Sequence, residues 1–137
     1  MRKYILSLFI LIIVSCKNNK NSYYLNSPDG EIKLEFNLKN GVPLYKISKN
    51  DNIIIDYSKL GIILNGKTDL DKDFKVINTN RKTHNTSWKT LFGEQKEIIN
   101  NYNELEVILD QENKKLNITF RVFDDGIGFR YKIENQE

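Results

Sequence analysis

The feature that most restricts the fold of this chain is an alternation of apolar and polar residues, repeated in segments separated by turn-forming residues. Residues 31–39 alternate without a break, and residues 116–122 and 127–133 show the same pattern. A period of two places every second side chain on one face of a β-strand. The alternation therefore predicts strands with one buried face rather than helices.

Turn signals indicate where these strands reverse direction. Asn40-Gly41 is a dipeptide that strongly predicts a two-residue hairpin turn, and Asp124-Asp125-Gly126 precedes the last strand in the same way. Ser27-Pro28-Asp29-Gly30 combines a Pro that presets φ with a Gly that tolerates positive φ. Strands at intervals of roughly 8–12 residues with turns between them are typical of an antiparallel β-sandwich.

Composition supports an all-β fold. The 137 residues include no Ala, which is the best helix former, and Tyr and Phe occur seven times each, which argues against disorder. No amphipathic helix and no fixed-period repeat is evident. We predict an antiparallel β-sandwich over residues 24–137, with a polar loop at 83–88. Further strands are predicted at 44–48, 53–55, 60–64, 74–81 and 103–109.

The N-terminus has the pattern of an export signal. Arg2 and Lys3 precede an apolar run from Tyr4 to Val14, in which only Ser7 is polar. A membrane-spanning helix needs about 20 apolar residues, so this shorter run matches a secretory signal peptide instead.

Cys16 is the predicted lipid attachment site. Residues 13–15 with Cys16 resemble a bacterial lipobox, in which a peptidase cuts before the Cys and the thiol carries diacylglycerol. A single Cys cannot form an internal disulfide, and two or three acyl chains anchor far more firmly than one. We expect residues 1–15 to be a signal peptide and 16–23 a flexible tether. The exported domain would be anchored to the membrane by its lipid, on the periplasmic face of the outer membrane; an ordinary signal peptide with an incidental Cys is the alternative.

The charge balance argues against a nucleic-acid partner. The chain has 21 basic and 18 acidic residues, a formal charge of +3, and no basic cluster in its body. A nucleic-acid-binding domain would concentrate basic residues on one face.

Residue types that could support catalysis are present without a catalytic pattern. His84 is the only His and lies among polar residues, which predicts a surface loop; with one Cys, it excludes a Cys/His zinc site in this chain. Glycoside hydrolysis needs two carboxylates, but Glu104 and Glu106, like Glu31 and Glu35, lie on the solvent side of a predicted strand. We therefore predict no catalytic residue and no metal site here.

Other motifs have two explanations each. Asp124-Asp125-Gly126 could hold a cation, although a turn explains it. Sequons at 85–87 and 117–119 are expected to have no meaning in a bacterial lipoprotein. Four aromatic residues could stack on sugar rings or pack within the protein. They are Trp88, Tyr102, Tyr23 and Tyr24.

Three regions, in this order, resemble a known family. The first covers residues 27–45 and the second covers 58–62. The third and most specific comprises Trp-Lys-Thr-Leu-Phe-Gly-Glu at 88–94, then 102–105 and 120–131. Together they resemble the N-terminal domain of glycoside hydrolase family 97, over nearly all of the chain that follows the signal.

The resemblance implies an accessory role. The family's enzymes are exported α-glucosidases and α-galactosidases, many of them calcium-dependent, with an N-terminal β-sandwich, a central (β/α)₈ barrel and a small C-terminal β domain. The barrel carries the acid, the base or nucleophile, and most calcium ligands, and a barrel needs about 250 residues. This chain is thus expected to be part of the N-terminal domain, inactive alone, with calcium only in the longer protein. Its implied partners are an α-glycan and the catalytic barrel.

Some residues of these motifs are candidates for carbohydrate contact. The resemblance points to Trp88, Glu94 and Arg130, while Phe92 and Arg121 belong to the same motifs, and maintenance of the fold would explain all five. Two other hypotheses remain open: a free-standing lipoprotein that binds glycans without hydrolysis, and the product of a decayed gene that binds none.

Overall fold

The computed structural model describes residues 22–64, 69–94 and 96–133, which form two four-stranded antiparallel sheets. The predicted all-β sandwich is confirmed. Across the described residues there is no helix of the length and apolarity needed to cross a bilayer. In the first sheet the order is β1 (Ser22–Asn26), β2 (Ile32–Lys39), β3 (Val42–Lys49), β4 (Asn52–Lys59). In the second it is β5 (Lys75–Lys89), β6 (Glu97–Gln111), β7 (Lys114–Val122), β8 (Ile127–Ile133).

The tight hairpins turn through pairs of residues with positive φ. Asn40 and Gly41 have φ of 52° and 77°, as their sequence predicts, and Asn50 and Asp51 follow with 47° and 64°. Two adjacent residues of positive φ give a turn whose twist matches that of the flanking strands. The register of β2 against β3 is therefore fixed, with Leu38 opposite Pro43.

The core lies between β2 of one sheet and β6 and β7 of the other. The rings of Phe36 and Phe120 meet across the sandwich with centroids 6.0 Å apart. Full burial of a large apolar side chain stabilises a fold by about 1.5–3 kcal/mol. These inner faces therefore provide most of the driving force. The fully buried members are Leu34, Phe36, Leu105, Val107, Leu109, Leu116, Ile118, Phe120 and Val122.

The two sheets are staggered by one strand. β1 packs over β6 and β2 over β7, while Tyr45 of β3 contacts Phe129 of β8, with ring centroids 5.7 Å apart. β4 therefore overhangs the free edge of β8, and β5 overhangs β1 on the opposite side.

Two predicted segments differ from the structure. The predicted polar loop at 83–88 is wrong, because these residues continue β5 and pair with residues of β6. The predicted strand at 60–64 is also wrong, because this segment forms only an isolated bridge between Ile62 and Leu70. The loop prediction failed at 83–88 because both faces of the outer half of β5 are open to solvent, so no alternation of apolar and polar residues is required there.

At the N-terminus the first strand begins at Ser22, within the predicted tether, and Tyr23 packs against the core ring of Phe36 with centroids 6.1 Å apart. The predicted signal peptide and Cys16 lie outside the described residues.

Candidate functional site

The three candidate carbohydrate-contacting residues lie in different places. Trp88 is at the far end of β5 and half exposed, and Glu94 is exposed in the segment between β5 and β6. Arg130 is exposed on β8, in the row of paired residues that reaches Asn80 on β5. Residues 80 and 88 of one strand are about 26 Å apart. The three side chains therefore do not meet around one sugar unit, and each stays a separate prediction.

Four aromatic side chains proposed for sugar stacking divide into two groups. Tyr23 packs on the core and Tyr102 is buried, whereas Tyr24 and Trp88 are 43% and 50% exposed. Of these four, only Tyr24 and Trp88 thus present an accessible ring.

The second sequon is not accessible, because Asn117 is buried on β7.

An extended hairpin arm projects beyond the core. β6 pairs with β7 only from Asn103 onward, so residues 84–89 and 97–102 form a two-stranded ribbon in which, within the described residues, each strand pairs only with the other. Its end exposes large apolar side chains, with Leu91 at 93% and Phe92 at 91%. Exposed apolar clusters mark interaction surfaces. We call this group the arm tip: Trp88, Leu91, Phe92 and Ile99.

A ring cluster fixes the root of the arm. Tyr102 stacks on His84 with centroids 4.9 Å apart and contacts Phe123 at 5.0 Å. The Arg121 guanidinium lies 4.6 Å from the Tyr102 ring centre, and Arg121 Nε donates to Glu104 Oε2 at 2.8 Å. The expectation that His84 lies in a surface loop is wrong: it is a half-buried strand residue. Only the pairing register of β5 and β6 brings it to Tyr102, and the sequence gives no signal of that.

Where β5 overhangs β1, the surface forms a hollow of about 340 Å³. The side-chain amide of Asn103 is bonded through both of its polar atoms: Asn103 Nδ2 donates to Asn26 O at 2.9 Å, and Thr83 Oγ1 donates to Asn103 Oδ1 at 2.8 Å. The lining residues are Leu25, Asn26, Arg81, Lys82, Thr83, Asn103 and Glu104. One carboxylate with an Arg partner cannot supply the acid and base pair of glycoside hydrolysis.

The three other carboxylates considered for catalysis also have partners. Glu106 Oε2 accepts from Asn80 Nδ2 at 2.9 Å, and Glu31 pairs with Lys49 at 3.3 Å. Glu35 accepts from the Tyr24 hydroxyl at 3.3 Å. These contacts give each carboxylate a place in the surface network of its sheet.

Two turns are tied together across the sandwich by Asp29. The Ser27 hydroxyl donates to its carboxylate, as does the Glu31 backbone N–H at 3.0 Å, and the Asp29 N–H donates to Asp124 Oδ1 at 2.9 Å. The bond from Ser27, followed by that from Glu31, lowers the pKa of Asp29 below its usual 3.8. A charged carboxylate is favoured because these bonds stabilise its ionised form.

Nothing in the described residues fits a metal centre, since nowhere in 22–64, 69–94 or 96–133 do three or more His, Cys, Asp or Glu residues come together as possible ligands. The Asp124-Asp125-Gly126 segment closes a turn, in which Phe123 N–H donates to Gly126 O at 2.8 Å. No role of calcium is therefore derived for these residues.

Comparison with known proteins points to one family. The family described as "Glycosyl-hydrolase 97 N-terminal" matches residues 25–137. A retaining alpha-galactosidase of Bacteroides thetaiotaomicron is 28% identical over 126 residues, covering 90% of this chain and 18% of the relative.

Solved structures agree with that match. A glycoside hydrolase family 97 enzyme of Pseudoalteromonas sp. strain K8, solved in complexes with panose and with acarbose, has a TM-score of 0.78 and 29% identity. A beta-arabinopyranosidase has a TM-score of 0.75 and 27% identity. In each case the alignment covers 83% of this chain and 18% of the other. The chain thus spans about a fifth of the length of these relatives.

Proposed function

The chain belongs to the glycosyl-hydrolase 97 N-terminal family, and from that membership we propose that it is the accessory sandwich of a longer, exported glycoside hydrolase acting on α-glycosides. The similarity to a retaining alpha-galactosidase and to an enzyme bound to panose and acarbose supports this substrate class. Hydrolysis itself is assigned to the remainder of such an enzyme, because the candidate carboxylate pairs are engaged in the surface network. They are Glu31, Glu35, Glu104 and Glu106.

The arm tip carries this proposal. Leu91 and Phe92 are almost fully exposed at the end of a ribbon that projects away from the core. Burying such side chains against a partner is worth about 1.5–3 kcal/mol each. A catalytic domain seated against the arm would cover them, and the sandwich would thereby hold the arm in a fixed position relative to that domain.

A second contact region is the open side, the uncovered strip between overhanging β4 and the edge of β8. Phe129 and Ile133 of β8, which lie opposite the core residues Phe120 and Leu116, are 44% and 46% exposed there. Among the described strands, β8 pairs only with β7, so its other edge presents free backbone groups. Such an edge is normally covered by another strand or by a packed element.

The proposal is tested with a chimera in which this chain replaces the N-terminal sandwich of the Pseudoalteromonas relative. We expect the 137-residue chain alone to release no nitrophenol from nitrophenyl α-glucoside or α-galactoside, while the chimera does. Leu91→Ser with Phe92→Ser should lower the activity and thermal stability of the chimera.

The matched control is Ile63→Ser, because Ile63 is 77% exposed and lies outside the arm. It should leave the chimera unchanged. Turnover by this chain alone, or equal effects of the two substitutions, would refute the assignment.

We also propose that Cys16 carries the lipid that anchors the exported domain to the outer membrane. The signal-like residues 1–15 support this. Cys16→Ser should move the chain from the membrane fraction to the periplasmic fraction and abolish labelling by palmitate.

Calcium is proposed for the longer enzyme, so a chelator should lower chimera activity without shifting the unfolding of this chain.

A further inference from the structure

A row of four side chains crosses the outer, solvent-facing side of the first sheet. Tyr24 lies opposite Glu35, and Glu35 lies opposite Lys46, on adjacent strands. On β4, Tyr57 completes the row, with its ring centre 5.4 Å from Lys46 Nζ. We call these four residues the tyrosine row. The core side chains of β2, Leu34 and Phe36, alternate with Glu35 and point to the other face.

Both rings of the tyrosine row are held in place by charged neighbours. The Tyr24 hydroxyl donates to Glu35, and Lys33 Nζ lies 4.7 Å from the Tyr24 ring centre. The nearby Glu35 carboxylate, followed by partial burial, raises the pKa of Tyr57 to about 12. The two tyrosines nevertheless remain 43% and 46% exposed. The rings are thus positioned without a ligand, which reduces the entropy lost when one binds.

A hollow of about 220 Å³ adjoins the row. Its lining balances two cations against two carboxylates and adds a hydroxyl and an apolar side chain. The balance disfavours a strongly charged polymer, and the polar lining disfavours an apolar peptide. The residues are Lys33, Glu35, Lys46, Ser48, Asp51 and Ile53.

We propose that the tyrosine row and this hollow form a binding platform for a neutral oligosaccharide. The apolar faces of Tyr24 and Tyr57 would stack on the CH faces of sugar rings. Sugar hydroxyls would bond to Glu35, Lys46 and Ser48, which together offer donors and acceptors. The two tyrosines stand on strands three spacings apart, about 14 Å between their backbones, so the ligand spans more than one sugar unit.

The platform deepens the proposed function, on which the choice of α-linked glycans rests. The test is affinity electrophoresis of the full chain, in detergent, through native gels containing soluble starch or galactomannan. We expect one of these glycans to retard the chain. Tyr24→Ala and Tyr57→Ala should each weaken binding at least tenfold, whereas Tyr24→Phe and Tyr57→Phe should retain it within about threefold, since stacking needs the ring.

Ile77→Ala is the matched control, because Ile77 is 53% exposed on the other sheet. It should not change the retardation. Absence of retardation by both glycans, or retardation that survives both alanine substitutions, overturns the platform.

A second measurement removes any dependence on the folding of the variants. Nitration of the unaltered chain by tetranitromethane, mapped by mass spectrometry, should be suppressed at Tyr24 by the retarding glycan. Tyr24 is the reporter because tetranitromethane attacks the ionised phenol, and the raised pKa of Tyr57 slows its reaction. Equal nitration with and without glycan overturns the platform. Failure of the chimera to hydrolyse its substrates would leave both results unaffected, so the two proposals fail separately.

Discussion

At the scale of single residues, Asp29 links two turns that are 95 residues apart in the chain. Its carboxylate accepts from Ser27 and from the Glu31 backbone, and its own N–H reaches Asp124. The sequence predicts the first turn from Ser27-Pro28-Asp29-Gly30. It cannot predict the bond to Asp124, because that bond exists only once the sheets have packed.

The lowered pKa of Asp29 predicts a pH-dependent contribution to stability. A folded-state pKa below the unfolded 3.8 means that ionised Asp29 stabilises the fold fully above that pH, and that this stabilisation is lost as the pH falls through the folded value. Asp29→Asn should therefore lower the free energy of unfolding at pH 7 and converge with the unaltered chain in strong acid. Urea denaturation across a pH series measures this. Asp125→Asn, in the facing turn, is the charge-matched control, and a pH-independent difference for Asp29→Asn would contradict the prediction.

Gly61 is required by a close backbone approach. Its φ is +147°, and a Cβ there would lie 2.7 Å from Asp71 Cα and 2.8 Å from Leu70 O. Gly61→Ala should cost about 2–3 kcal/mol, because the bridge between Ile62 and Leu70 must shift. Gly126→Ala is the control, since a Cβ there meets nothing within 4 Å. Denaturant midpoints showing equal losses for the two would refute this explanation.

At the scale of elements, the sequence predicts strands that bury one face and misses those that do not. β2, β7 and β8 carry alternating patterns because each packs its inner side chains on the core. The outer half of β5 is exposed on nearly every residue, so nothing selects an alternation and its polar residues resemble a loop. The ring cluster at the root of the arm, in which Tyr102 contacts His84, could not be predicted either, because it depends on the pairing register of β5 and β6.

The arm should depend on Arg121 for its stability. Arg121 stacks on Tyr102 and pairs with Glu104, and stacking of this kind at a partly exposed site is worth about 0.5–1 kcal/mol. Arg121→Ala should speed amide hydrogen exchange across residues 83–103 severalfold while leaving the core strands unchanged. Lys132→Ala, an exposed cation on β8, serves as control. Exchange that rises uniformly over the molecule would show a global loss of stability instead.

At the scale of the whole molecule, the fold class follows from alternation and turns, but the stagger does not. Which strand of one sheet covers which strand of the other is decided by shape, as in the contact of Phe36 with Phe120. The stagger creates the hollow beside β1 and the open side beside β8. Motifs also do not show which residues come together: Trp88 and Arg130 lie far apart on the second sheet. The tyrosine row could be found only from the register of the four strands of the first sheet.

The open side predicts how the chain behaves without a covering partner. Apolar side chains beside a free strand edge favour edge-to-edge association, so the chain in detergent should self-associate as its concentration rises. Ile133→Lys, on β8, should shift sedimentation toward the monomer, because Lys at an edge opposes strand addition. Ile63→Lys tests whether charge alone is responsible, since Ile63 is 77% exposed against 46% for Ile133 but lies in neither sheet. A chain that stays monomeric at all concentrations, or one equally dispersed by both substitutions, would show that the open side is not an interface. Suppression of self-association in the chimera, where a catalytic domain is present, would identify the open side as a surface that the longer enzyme covers.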